Sequence, residues 1–346
     1  MIKDLMRITL SFFLVFLSAH SSLLAQMNAD SAQYKLSGEF FGDVYYFMDN
    51  EAAANEGESG FVVRRATLTY DYMHNKTFRS RFRIEADQSV LTASNRLLVY
   101  VKDAYLTWRG MLGEGHDAVV GISPTPSFQT SEEVWGYRSL EKTLLDHRGI
   151  VGSRDIGIDF KGGLGGNASY WVKIGNNSMD GRGTSLKLYG NIKYKLSQRA
   201  VVTVSSDWHK GEITVPGQGV IKGNHTVVAG FLGYTEAKQY SFGLEGAYRL
   251  QENNDIVSPT LVEDLKSIGF SAFAWFSLND IMRVIARYDY FQANSRISDG
   301  ALHYFLAGVD YTPLSTVHII PNITLQDRKS VPGSDIQGRI TFHFLY

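Results

Sequence analysis

The sequence predicts an all-β chain: a transmembrane antiparallel β-barrel of sixteen strands, with a long third external loop folded into the lumen. Three observations carry that expectation. The 346 residues include no cysteine, 33 glycines but only 7 prolines, and 20 Phe, 19 Tyr and 5 Trp, at a mean hydropathy of -0.14, which is the profile of an exported barrel. Apolar and polar residues alternate with period two over segments long enough to cross a bilayer as tilted strands, about 9 to 11 residues. Short and long connections also alternate along the chain. The same composition excludes other classes. With 34 basic against 35 acidic residues and no sustained Lys/Arg block, the footprint of a nucleic-acid binder is missing. Without cysteine there are no disulfides, thiolate metal sites or thiol nucleophiles.

The chain begins with a predicted export segment. Lys3 and Arg7 precede the apolar stretch Ile8 to Leu17, and small and polar residues lead to Ala25, the three-part layout of a signal peptide cleaved after Ala25. A membrane anchor is the other reading, but the apolar core is shorter than the roughly 20 residues a spanning helix needs. Residues 1–25 are therefore assigned to a signal peptide, 26–34 to a short periplasmic lead-in, and 35–346 to one barrel.

Strand candidates fall at 35–48, 61–73, 77–87, 97–109, 117–122, 154–161, 168–176 and 184–196 in the first half. In the second half they fall at 200–210, 224–234, 239–251, 266–277, 281–293, 302–312, 316–327 and 336–346. The last is the cleanest: Ile336, Gly338, Ile340, Phe342, Phe344 and Tyr346 share one face, and Gln337, Arg339, Thr341 and His343 the other. Between 184 and 196, Lys187, Lys193 and Lys195 share a face opposite Leu188, Ile192 and Tyr194. A soluble sandwich would also alternate, but its strands are about half this length. Short connections such as 74–76, 197–199, 235–238 and 278–280 interleave with longer ones at 49–60, 211–223 and 252–265. Gly162 to Gly166 lacks the Lys-Ser/Thr and helix of a phosphate-binding loop and falls where a short turn belongs.

The longest connection, 123–153, becomes the third external loop. A structureless loop of this length inside a compact domain needs a functional reason, and constricting the lumen supplies one. Ser127 to Trp135 and Tyr137 to Leu145 have the makings of a helical turn or two. Its charges are mixed: Arg138, Lys142 and Arg148 against Glu132, Glu133, Glu141 and Asp146.

Charged residues inside strands locate the lumen. Arg79, Arg81 and Arg83 alternate with Phe78, Ser80, Phe82 and Ile84. An arginine on the lipid face at the midplane costs about 2 to 4 kcal/mol, so all three point inward. They are either a ladder of wall ion pairs or a basic track for anions. Arg64-Arg65 and Lys102-Asp103 break the alternation, and one extra residue at each place, a β-bulge, restores it. The outward sets then become Phe61, Val63, Ala66, Leu68, Tyr70, Tyr72 and Val99, Val101, Ala104, Leu106, Trp108. Alternatively, Arg64 snorkels to the interface. Glu39, Asp43, Asp71, Lys173, Asp207, Arg283, Arg287 and Asp289 also point inward, giving a wet lumen of mixed sign.

Arg64-Arg65-Ala66, Lys102-Asp103-Ala104-Tyr105, Gly121 to Pro126, Trp135 to Arg138 with Glu141-Lys142-Thr143, and Ser153 to Gly157 follow one another in this order. In these motifs the chain resembles the phosphate-selective porin O/P family of outer-membrane channels. The resemblance implies a sixteen-stranded barrel in the bacterial outer membrane, a homotrimer whose third loop carries the constriction, and phosphate held by lumenal Arg and Lys. Carried onto this chain, it makes Arg64, Arg65, Arg79, Arg81, Arg83, Lys102, Arg138, Lys142, Arg148, Lys187 and Lys193 the candidate pore-lining and anion-binding residues.

The expectation is therefore a passive channel for small hydrophilic solutes, weakly preferring anions or phosphate. Its partners would be membrane lipid and solute rather than nucleic acid, with no cofactor and no catalysis. A non-conducting anchor or adhesin is the alternative, and a barrel hydrolase the remoter one. For hydrolysis the nearest acid/base pair is Asp146-His147, and neither GxSxG nor HExxH is present.

Overall fold

The computed structural model describes residues 33–52, 55–91, 97–177, 185–258, 260–331 and 333–346. The predicted signal peptide and the lead-in as far as residue 32 lie outside them. Sixteen strands run through the described residues. They are β1 Gln33–Asp49, β2 Ser59–Met73, β3 Phe78–Leu91, β4 Leu97–Trp108, β5 His116–Pro124, β6 Arg154–Gly165, β7 Ala168–Gly175 and β8 Lys187–Lys195, followed by β9 Ala200–Val215, β10 Gly219–Glu236, β11 Tyr240–Ser258, β12 Leu261–Asn279, β13 Met282–Gln292, β14 Ala301–Leu314, β15 Val317–Arg328 and β16 Ser334–Leu345. Each pairs with the next, and β16 returns antiparallel to β1, with Phe40 opposite Phe344 and Tyr45 opposite Arg339, to close the barrel. Every predicted strand is present.

Alternation does what it predicts. Leu188, Ile192, Phe242, Leu244, Ile323 and Ile340 stand exposed on the outside, while Asp43, Glu85, Asp103, Asp159, Lys173 and Arg287 are buried inside. An apolar outer surface running round the whole wall is untenable in water and suits a bilayer. Among the described residues no helix is long and apolar enough to cross a membrane; the strands do so. Aromatics collect at the end that carries the short turns: Tyr34 stacks on Tyr70 and Tyr70 on Tyr72, Phe78 lies against Trp108, and Tyr234, Tyr240 and Phe276 form a stack.

Both predicted bulges are present. Phe41 pairs with Arg65 and Gly42 with Val63, leaving Arg64 extra in β2. Arg83 pairs with Asp103 and Ile84 with Val101, leaving Lys102 extra in β4. Each bulge turns two adjacent charges into the lumen and leaves Phe61, Leu68, Val99 and Trp108 outside. Snorkelling of Arg64 is ruled out, because its guanidinium lies 3.4 Å from Asp43.

Two connections differ from the expectation. Residues 211–223 and 252–265 are largely strand, since β9 pairs with β10 as far as Val215–Gly219 and β11 with β12 as far as Ser258–Leu261. Backbone pairing does not stop where the lipid-facing pattern ends. Polar residues continue the ladder, so these hairpins stand well above the rim.

Between β5 and β6 the third loop holds two short helices, α1 Gln129–Trp135 and α2 Leu144–His147. Gly136 ends α1 in the left-handed region, φ 69°, with its N–H donated to the Glu132 carbonyl, a conformation only glycine enters cheaply. The predicted second helical stretch, 137–145, is mostly turn, and its helix lies later, at α2.

Candidate constriction site

The third loop has two unlike faces, and they divide the lumen between them. One face is apolar and lies against the inner wall. Trp135, Tyr137 and Leu140 pack with Phe231, Phe273, Trp275, Ile285, Leu306 and Ile320, while Phe128, Leu144, Leu145, Ile150 and Val151 pack with Tyr189, Val227, Ala229 and Phe291. Trp135, Leu140, Leu144 and Leu145 are fully buried. The wall of β10 to β15 thus carries apolar patches on its inner side as well as an apolar outer face, and the loop packs on them.

Buried polar groups of the wall pin the loop backbone. Glu245 accepts from the Ser131 hydroxyl at 2.9 Å and from the Leu144 N–H at 3.1 Å. Arg287, held in a two-pronged pair by Asp289 at 2.8 and 2.7 Å, donates to the Lys142 carbonyl at 2.5 Å. Tyr137 donates to Asp310 at 3.0 Å, and Arg64 donates to the Ser139 carbonyl at 2.9 Å. Satisfying buried carbonyls in this way is worth more than the neutral bonds alone, because the donors are charged.

The other face of the loop is charged and looks across a gap at β1 to β4 and β16. Two adjoining cavities of about 610 and 220 Å³ make up the gap, and their walls carry eight Arg or Lys side chains against six carboxylates. On the barrel side, Arg65 lies 3.4 Å from Glu39 and 3.3 Å from Glu85, and Lys102 reaches Glu85 at 3.1 Å. Arg154 and Arg83 share Asp103 at 2.5 and 3.5 Å. On the loop side, Arg138 bridges Glu132 at 2.9 Å and Asp146 at 3.4 Å. Lys142 is the least engaged, 3.9 Å from Asp146 with its side chain 44 % exposed. Burial alone would push the Glu141 carboxyl up, but His147, Arg64, Arg339 and Arg287 around it outweigh burial and hold it below the ordinary carboxylate range.

Of the eleven sequence candidates, Arg64, Arg65, Arg83, Lys102, Arg138 and Lys142 line this gap. Arg79 and Arg81 lie below it, at the turn end, around a separate hollow of about 440 Å³ with Lys35 and Tyr105. There Arg81 forms a two-pronged pair with Asp71 at 2.7 and 2.9 Å, whereas Arg79 has no hydrogen bond or ion pair among the described residues. The other three lie elsewhere: Arg148 sits over the Tyr304 ring and donates to Gln326 at 3.2 Å, Lys187 pairs with Asp207 at 3.2 Å, and Lys193 reaches Glu133 at 3.7 Å. Arg154 and Arg339 were not among the candidates. Arg339 was legible, since it alternates inward on the most regular strand; Arg154 opens a strand directly after the loop, where periodicity has not begun. Asp146 and His147 turn to different partners, Asp146 to Arg138 and Lys142, His147 to Glu141 at 3.7 Å and the Tyr304 ring.

The same architecture recurs in solved structures. The outer membrane channel DcaP of Acinetobacter baumannii superposes with a TM-score of 0.71 at 12 % identity, covering 92 % of this chain and 99 % of that one. An anion-selective porin from Comamonas acidovorans gives 0.67 at 11 %, covering 91 % and 100 %. Salmonella typhi OmpF, solved with daunomycin, gives 0.63 at 14 %, covering 92 % and 99 %. This chain has the fold of those outer-membrane barrels. At such identities the likeness concerns the fold. No protein-family model matches the sequence, and no curated protein matches it.

Proposed function

We propose that this chain is an outer-membrane porin, a passive diffusion channel for small hydrophilic solutes with a weak preference for anions, phosphate among them. One observation carries the reading: a polar gap, richer in Arg and Lys than in carboxylates, left open between the charged face of a pinned loop and the wall of β1 to β4. Fixed charges at a narrow aqueous passage act on ions directly, and low-dielectric surroundings strengthen them. The porin-like fold supports the same reading, as does the order of motifs in which the sequence resembles the phosphate-selective family. Export through a cleaved signal peptide and assembly as a homotrimer belong to the proposal.

The paired state of Arg65, Arg81, Arg83 and Arg138 argues for weak rather than strict selectivity, because a carboxylate next to each guanidinium competes with a passing anion. The test is planar-bilayer conductance of the refolded protein under a KCl gradient, with phosphate then added. Stepwise conductance with an anion-sided reversal potential and partial phosphate block is the expected result. Conductance indifferent to phosphate removes phosphate as the solute, and absence of conductance from a folded, heat-modifiable barrel replaces the channel with the anchor.

A further inference from the structure

On the inner wall, one rung from where the third loop packs on Val227, His209 of β9 and His225 of β10 face each other directly across the ladder. Their rings are 4.8 Å apart, with 80° between the planes. Residues opposed in this way have Cβ atoms about 4.5 to 5.5 Å apart. From that spacing two imidazoles can converge on one ion at the roughly 2.0 to 2.1 Å of a metal–nitrogen bond.

Three features of the surroundings fit ligation better than packing. The Nδ1 atom of His209 is buried and has no hydrogen-bond partner among the described residues, so a donor or an ion is the partner it lacks. Two residues further along the same strand and face is Gly211, where a Cβ would come within 2.3 Å of His225 Cε1 and Nε2; the glycine makes room for the His225 ring in this position. His225 Nδ1, finally, lies 3.4 Å from the Gln251 amide nitrogen. Rotating that amide brings its oxygen to the same place, where it accepts from Nδ1–H and leaves Nε2 as the ligand, the outer-sphere arrangement usual for metal-bound histidine. Just below, Lys187 is paired with Asp207 at 3.2 Å, so the ammonium facing the two rings is offset by a carboxylate.

We propose that His209 and His225 form a binding site for a divalent d-block cation, zinc or copper, on the wall of the vestibule. Imidazole is the donor these ions favour. Among the described residues no cluster of three or more metal-ligating side chains occurs, so water completes the coordination and the ion exchanges rather than holding the fold together. The proposal is independent of whether the barrel conducts.

Copper(II) binding to the refolded full chain, followed by electron paramagnetic resonance and by calorimetry with zinc chloride as the second probe, tests it. One copper per chain with a two-nitrogen signature is expected, with affinity reduced at least tenfold in both His209→Gln and His225→Gln. The competing location is the stacked pair His318 and His343, 5.3 Å apart, and the H318Q/H343Q variant should bind as the wild type does. Gly211→Ala, whose methyl would push the His225 ring aside without removing a histidine, should weaken binding in a barrel that still shows heat-modifiable mobility. Undiminished binding in the two single histidine variants, or a loss that follows H318Q/H343Q instead, overturns the site.

Discussion

Arg65 and Lys142 mark the two extremes of charge in the gap. Arg65 sits between Glu39 and Glu85 with 13 % of its side chain exposed, whereas Lys142 has one distant partner and 44 % exposure. Removing the first takes one partner from each of two carboxylates in a sparingly hydrated wall, leaving Glu85 to Lys102 and Glu39 to His343, a loss of up to about 3 kcal/mol; removing the second costs at most about 1 kcal/mol. Both substitutions should move the reversal potential towards cations, but only Arg65→Gln should also lower the urea midpoint followed by tryptophan fluorescence. A neutral Lys142 variant with unchanged selectivity would take the loop lysine out of the filter. Arg81→Gln is expected to act like a weaker Arg65→Gln, because its Asp71 partner is more open to water, at 32 % side-chain exposure.

The third loop and the bulges make their own demands. The loop holds to the wall through Trp135, Leu140, Leu144 and their apolar counterparts, and truncating a buried tryptophan costs about 3 to 5 kcal/mol. Trp135→Ala should therefore release the loop face from β12 and β13 and produce a larger, noisier single-channel conductance in a barrel that still closes. An unchanged conductance would mean that the wall bonds of Arg287 and Glu245 hold the loop alone. For the bulges, deleting Lys102 removes the one residue that has no partner in β3, so the outward pattern Val99, Val101, Ala104 survives and the barrel should refold. Deleting Phe82 of β3 instead shifts the register of that strand and turns either Arg79 and Arg81 or Arg83 and Glu85 to lipid, at about 2 to 4 kcal/mol for each arginine, and heat-modifiable folding should be lost.

Over the whole molecule, strand number, strand order and lumenal facing were legible because one rule, period two against lipid, acts on every strand. The bulges were legible for the same reason, as local exceptions that the rule cannot absorb. Less legible was anything outside lipid: the β9–β10 and β11–β12 hairpins run past the apolar band, where no constraint marks where pairing stops. The folding of the third loop into the lumen was legible, but the part of the wall it docks on was unread, although apolar residues such as Phe273, Trp275, Ile285 and Leu306 on the inward positions of β12 to β14 were its signal. For Arg148, Lys187 and Lys193, which part of the bore a side chain reaches depends on tertiary packing, which period two does not encode. The absence of cysteine makes the orientation testable without background. Thr260→Cys, at the tip of the β11–β12 hairpin, should react with an impermeant maleimide on intact cells, and Lys76→Cys, on a short turn, should react only after lysis. The reverse pattern would invert the barrel.

The loop that packs inside the bore precedes its own receptor in the chain. Tyr137 waits for Asp310, 173 residues later, and Leu140 for Arg339, 199 residues later. Closing such separations is slow relative to forming neighbouring hairpins. Closing β16 on β1 spans still more chain, since Phe40 pairs with Phe344. The seam of the cylinder and the far seat of its inner loop are thus supplied by the same last strands, Asp310 on β14 and Arg339 on β16.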